Sequence, residues 1–208
     1  MNGRHPPRES GIDDEADPDE PVLGEVPGEI LELAESCRRF AFAAVRVELD
    51  YEPETLPILD QYLGLARGGV SDRPELGPLV ERAAAAYFGE VARRRFDAFW
   101  LRRADATDGF RLCARRAFFW FSPLGQVMES MAHGEERPGP PAEFGLAPDD
   151  REVAHERLAR LPPVSEDEYH LLSTRLEVLE VVHETLVEKM KAEGREGIVF
   201  EAADYEGE

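Results

Sequence analysis

Cysteine and lysine are scarce in this 208-residue chain, with two of each. Cys37 and Cys113 lie far apart, each in an apolar or arginine-flanked segment, which excludes a disulfide framework and a cysteine pair at zinc spacing. They read as reduced thiols of a cytosolic protein, although sequence alone leaves a bridge between them open. No apolar run approaches the roughly 20 residues that cross a bilayer. The first 21 residues are polar and acidic, with nothing resembling a signal peptide, so a cytoplasmic protein without a membrane partner is expected. Also missing are a phosphate-cradling glycine loop, a Gly-x-Ser-x-Gly elbow and a His-Glu-x-x-His step. Those gaps leave no strong catalytic constellation and imply no cofactor.

Acid and arginine are abundant. The chain holds 44 Asp and Glu against 24 basic residues, a net charge of −20. Its distribution matters more than its size. Residues 1–35 carry −9 and residues 193–208 carry −5, which leaves −6 for everything between. The acidity is therefore concentrated in the ends, which solvate and repel rather than pack. Residues 93–116 run the other way, with eight arginines against Asp97, Asp105 and Asp108. The preference for arginine over lysine throughout is the mark of a GC-rich coding sequence, not of guanidinium chemistry.

The stretch from Leu79 to Phe121 organises the chain. At 100° per residue, Leu79, Val80, Ala83, Tyr87 and Val91 share an arc that Ala84 and Phe88 widen, while Ala85, Gly89 and Ala92 form a small-residue face. A helix apolar or small on most sides is a central, buried one. Before it, residues 1–26 read as a disordered acidic tail, and helices are expected over about 29–47 and 55–66, the latter ending near Gly68-Gly69. The central helix covers about 78–95. Alternating apolar and charged residues then predict a hairpin over 96–121, turned at Asp108-Gly109, with Phe118 to Phe121 as a third strand or the end of the second. Ser122-Pro123 opens a helix over 123–133. The proline-rich residues 135–148 read as an irregular connector, followed by helices over 149–161 and 165–192. The last begins with a capping box, Ser165-Glu-Asp-Glu168, and would be about 42 Å long at roughly 1.5 Å per residue. Its seam of Leu172, Leu176, Leu179, His183, Leu186 and Met190 must be covered, either by this chain or by a second copy. Residues 193–208 read as a flexible acidic tail. The expected fold is α+β, one domain over 27–192, with helices packed on a small antiparallel sheet.

Two patterns offer chemistry. Glu90 and Arg94, spaced i and i+4 with the acid first, suit a side-chain ion pair at the edge of the apolar arc. A half-buried Glu90 near Tyr87 and Arg94 is alternatively an acid–base candidate. Two Glu-x-x-His steps, Glu152/His155 and Glu180/His183, have the spacing of ligands in di-iron bundles. In a chain this rich in glutamate two such steps are unremarkable. His183 lies on the apolar seam, where a core histidine is the plainer reading, and His155 reads as a surface residue. The basic hairpin with Phe99, Trp100 and Phe110 has the aromatics to stack a single strand, but the overall acidity opposes a nucleic-acid partner.

Several short motifs occur in a fixed order: Leu49-Asp50-Tyr51, Thr55-Leu56, Leu59-Asp60-Gln61-Tyr62, Ala86-Tyr87-Phe88-Gly89-Glu90, Trp100, and Pro123 to Val127 running up to Gly134. Over about 45–134 this order resembles an uncharacterised family of small bacterial proteins. The chain departs from it at Arg93-Arg-Arg-Phe-Asp-Ala-Phe99, where the family has Gly-Gly before the tryptophan, and in its long C-terminal helices. The resemblance implies a mixed α+β domain and brings no activity with it. The function expected from the sequence is a non-enzymatic interaction or adaptor module, acting through apolar helical surface and acidic tails. Its partner would be another protein or a second copy of the chain. The alternative is a metal-binding helical protein using the paired Glu-x-x-His steps.

Overall fold

The computed structural model describes residues 25–102, 109–133, 138–142 and 144–206. The expected acidic segment 1–26 lies outside it except for Glu25 and Val26, and Val26 packs against the core. The fold is α+β, with helices packed on a four-stranded antiparallel sheet.

Helices α1 (Gly28–Val45), α2 (Leu56–Asp72) and α3 (Gly77–Phe96) come first. α2 runs on through Gly68-Gly69 and stops at Arg73 (φ −138°, ψ 73°), because Pro74 excludes the helical conformation from the residue before it. α3 is the axis of the molecule. Alanines 83–86 are all buried, and their small side chains let α1 and α4 (Pro123–Ala132) approach it closely. Tyr87 and Phe88 are fully buried on the same helix, and a buried side chain of this size contributes roughly 1.5–3 kcal/mol.

α3 ends at Asp97 in a left-handed conformation (φ 48°) that turns the chain directly into the sheet. Strands β1 (Ala98–Arg102), β2 (Phe110–Ala114), β3 (Phe119–Phe121) and β4 (Phe144–Leu146) lie in sequence order. The alternation read from sequence decides the two faces. Ala98, Trp100, Leu112, Phe119 and Phe121 point to the main core, while Phe99, Leu101, Cys113 and Trp120 point outward. The strand β4 arises within the stretch expected to be an irregular connector. Gly145 makes its pairing possible, since a Cβ there would lie 2.0 Å from the Trp120 indole.

The helix expected over 165–192 is two helices, α6 (Glu166–Tyr169) and α7 (Leu172–Ala192), following α5 (Arg151–Leu158). The capping box of Ser165 and Glu168 starts only the short one. Asp60, on α2, starts the long one: its carboxylate accepts from the Leu172 and Ser173 amides at 2.7 and 3.1 Å and from the Ser173 hydroxyl at 2.7 Å. The apolar seam of α7 is buried against α2, α3, α4 and α5, so this chain covers it by itself. Cys37 and Cys113 are both buried and free.

Within residues 193–206, read from sequence as a flexible tail, Phe200 and Tyr205 pack on the outer face of the sheet, while the other residues are exposed. The Phe200 amide donates to the Arg115 carbonyl at 2.8 Å, and the short α8 (Ala202–Tyr205) delivers Tyr205 into that face. Tyr205 is 2% exposed, stacks on Phe118 at 4.7 Å, meets Phe99 edge-on and donates to the Ala114 carbonyl at 2.6 Å. Two aromatic residues among the acids are enough to hold the segment down, because the outer face offers them an otherwise uncovered apolar surface.

Candidate functional site

The motifs singled out in the sequence converge on α3. Asp50 accepts from the Glu52 amide at 3.0 Å and from the Thr55 hydroxyl at 3.1 Å, closing the turn into α2. Tyr51, held at φ 70°, stacks on Tyr87 at 4.9 Å, and its amide donates to the Tyr87 hydroxyl at 2.9 Å. That hydroxyl also shares a 3.0 Å hydrogen bond with Thr55. Burial raises the Tyr87 pKa, so the phenol stays protonated and serves as a brace between α3 and the loop.

Glu90 is 2% exposed, and its partner is Arg93, not Arg94. Arg93 donates through Nε and Nη2 to the two carboxylate oxygens at 2.8 and 3.0 Å. The expected Glu90–Arg94 pair is not formed; the Trp100 indole N–H instead donates to Oε1 at 2.7 Å. Arg94 lies on the solvent side, its guanidinium 4.4 Å from the Tyr51 ring centre. The missed residue is thus Arg93, and three arginines in a row gave the sequence no means to rank them. Gly89 completes the seat: a Cβ there would sit 2.1 Å from the Trp100 ring, so only glycine admits the indole beside Glu90.

In front of Trp100 lies a cleft. Its walls are Ile30 and Leu33 of α1, Ala85 and Ala86 of α3, Phe110 of β2 and Leu124 of α4. Arg82 and Arg102 stand on the rim with Glu29, at 2.8 and 4.0 Å from its carboxylate oxygens. Rim pairs of this exposure contribute little to stability. They do leave two cations against one anion among the described residues of the cleft, in a strongly acidic chain.

The paired Glu-x-x-His steps are not brought together. Glu152 and His155 are exposed on α5. Glu180 accepts from Arg95 at 2.5 Å, while His183 turns inward between the Phe96 and Phe119 rings at 5.2 and 6.1 Å. Burial, helped by the nearby Arg116 charge, pushes the His183 pKa down to about 4. No group of three or more His, Cys, Asp or Glu among the described residues is placed to hold a metal ion. The outer aromatic face of the hairpin is occupied as well, since Phe99 lies under Tyr205. Burial pushes the Cys113 thiol up to about 12 and raises Cys37 further, so neither is a nucleophile.

Comparison with family models, curated proteins and solved structures returns no match to this chain.

Proposed function

We propose that this protein is a non-enzymatic, cytoplasmic interaction module that receives an apolar side chain of a partner protein in the cleft before Trp100. One observation carries the reading. The indole is pinned from behind by Glu90 while its ring faces an apolar cleft with a basic rim. A rigid aromatic anchor that loses no rotamer freedom on binding is the commonest kind of interface hot spot. The rim chemistry favours a partner whose apolar side chain is flanked by a carboxylate. The groups that sequence offered for acid–base work support the same reading. Glu90 is 2% exposed and engaged by Arg93 and Trp100, and the Tyr87 hydroxyl is engaged by Tyr51 and Thr55, so both serve packing rather than a substrate. The covered α7 seam is no part of this proposal, nor is the docked C-terminal segment. Two buried free thiols support a reducing compartment.

The test compares capture by the wild-type chain, Leu124→Arg in the cleft and Leu65→Arg, which alters an exposed residue of α2 away from it. A partner retained by wild type and Leu65→Arg but lost by Leu124→Arg supports the proposal. Self-association lost in the same way names a second copy as that partner. Capture that Leu124→Arg leaves unchanged removes the cleft from consideration.

A further inference from the structure

A second groove lies between α4, β4, α5 and α7. Phe144, Leu158, Val178 and the link Leu161–Val164 wall it, and it encloses about 410 Å³, within the size range of small-molecule sites. At its inner end stands Arg175, only 7% exposed, in the first turn of the 21-residue α7, where the helix dipole favours an anion.

The guanidinium is satisfied on one side only. Nη1 donates to Gln126 Oε1 at 3.1 Å. Nε and Nη2, which share the opposite edge, are buried and make no hydrogen bond. Glu129 supplies counter-charge from the rim, its Oε1 lying 3.2 Å from Nη2, but it leaves Nε unmatched. The same oxygen accepts from the Tyr169 hydroxyl at 3.0 Å, and the Tyr169 ring lies over the guanidinium at 4.7 Å. Glu129 and Tyr169 thus form a latch at the mouth, where Tyr169 is half exposed. Two parallel N–H donors on one edge match the two oxygens of a carboxylate. An unmatched edge of this kind at the end of an apolar groove calls for a carboxylate head on an apolar body.

We propose that this groove binds a small carboxylic acid with an apolar tail. The head engages Nε and Nη2 of Arg175, the tail lies along Phe144, Leu158 and Val178, and the Glu129–Tyr169 latch swings outward. This site is separate from the Trp100 cleft, and its occupancy is independent of any protein partner.

Calorimetric titration of the full chain with octanoate and with 1-octanol tests it. Octanoate is expected to bind at one site, at least tenfold tighter than the alcohol. Val178→Trp, which fills the groove, should abolish binding, and Arg175→Lys should weaken it at least tenfold. Glu129→Gln, which removes the competing carboxylate, should strengthen it about threefold. Should Arg175→Lys fail to fold, the other two variants decide. Equal affinity for acid and alcohol would overturn the proposal, as would no binding at millimolar octanoate, or octanoate binding that neither Val178→Trp nor Glu129→Gln alters.

Discussion

Among the described residues two buried arginines are held by glutamates, and they are built differently. At Arg93, Glu90 meets both Nε and Nη2, its own remaining capacity goes to the Trp100 indole, and both side chains are almost fully buried. At Arg175, Glu129 reaches only Nη2, stands 38% exposed at a groove mouth and leaves Nε without a partner. The first is a two-pronged pair at the entry of α3 into the sheet, with only Arg93 Nη1 left without a hydrogen bond. The second leaves one edge unmatched in a residue that lines the groove. The residue types are the same, so identity alone does not separate a structural ion pair from a binding group. The engaged edge does: the Nε and Nη2 edge of Arg93 is fully matched and only Nη1 lacks a hydrogen bond, whereas at Arg175, which lines a groove, that same edge makes none. An unmatched buried donor costs free energy that a ligand can recover.

The sharpest way to break this contrast is to remove the acid of the two-pronged pair. Glu90→Ala strands a buried guanidinium and a buried indole N–H together. Breaking a buried pair from one side costs about 3–5 kcal/mol. Urea unfolding followed by tryptophan fluorescence reads both the loss and the release of Trp100. A cost under about 1 kcal/mol would mean that the pair is hydrated and that the contrast with Arg175 has no energetic content.

His183 extends the comparison to a buried ionisable group whose Nε2 has no partner. Its Nε2 makes no hydrogen bond, and the ring sits between two phenylalanines. The unfolded chain titrates near the ordinary value of 6.5, the folded one near about 4. Between those values the unfolded state binds more protons, so stability is fully present above pH 6.5 and is lost as pH falls toward 4. At about 1.36 kcal/mol per unit the loss amounts to about 3 kcal/mol by pH 4. Carboxylates also respond to acid, so the measurement is a difference: wild type should lose about 3 kcal/mol more than His183→Leu between pH 7 and pH 4. Parallel pH profiles would show that the imidazole finds a hydrogen-bond partner in solution.

The helices around α3 were legible because they follow a single period, and the faces of β1 to β3 because they follow a period of two. What was not legible required distant residues. The start of α7 depends on Asp60, more than a hundred positions earlier, so the local capping box at Ser165 pointed to the wrong helix. The docking of Phe200 and Tyr205 depends on an outer sheet face that only the finished fold creates, and a charge count treats both as incidental to an acidic run. The strand β4 depends on the Trp120 ring lying over Gly145. Gly89, Glu90 and Trp100 were visible as a recurring order but not as one contact, and the order itself marks the seat of the indole rather than a reaction. The Arg175 site had no sequence signal: Gln126, Glu129, Tyr169 and Arg175 come from three helices with no shared motif.

The smallest expected effect is the mirror image of the first. Glu129→Ala removes the half-exposed acid of the second pair, which uncovers the Nη2 side of the guanidinium, while Gln126 and the Tyr169 ring remain in place. A partly exposed pair of this kind contributes up to about 1 kcal/mol, so the unfolding midpoint should shift far less than for Glu90→Ala. A loss as large as that of Glu90→Ala would mean that Arg175 depends on Glu129 as Arg93 depends on Glu90. The latch would then be a structural pair, too costly for a ligand to displace.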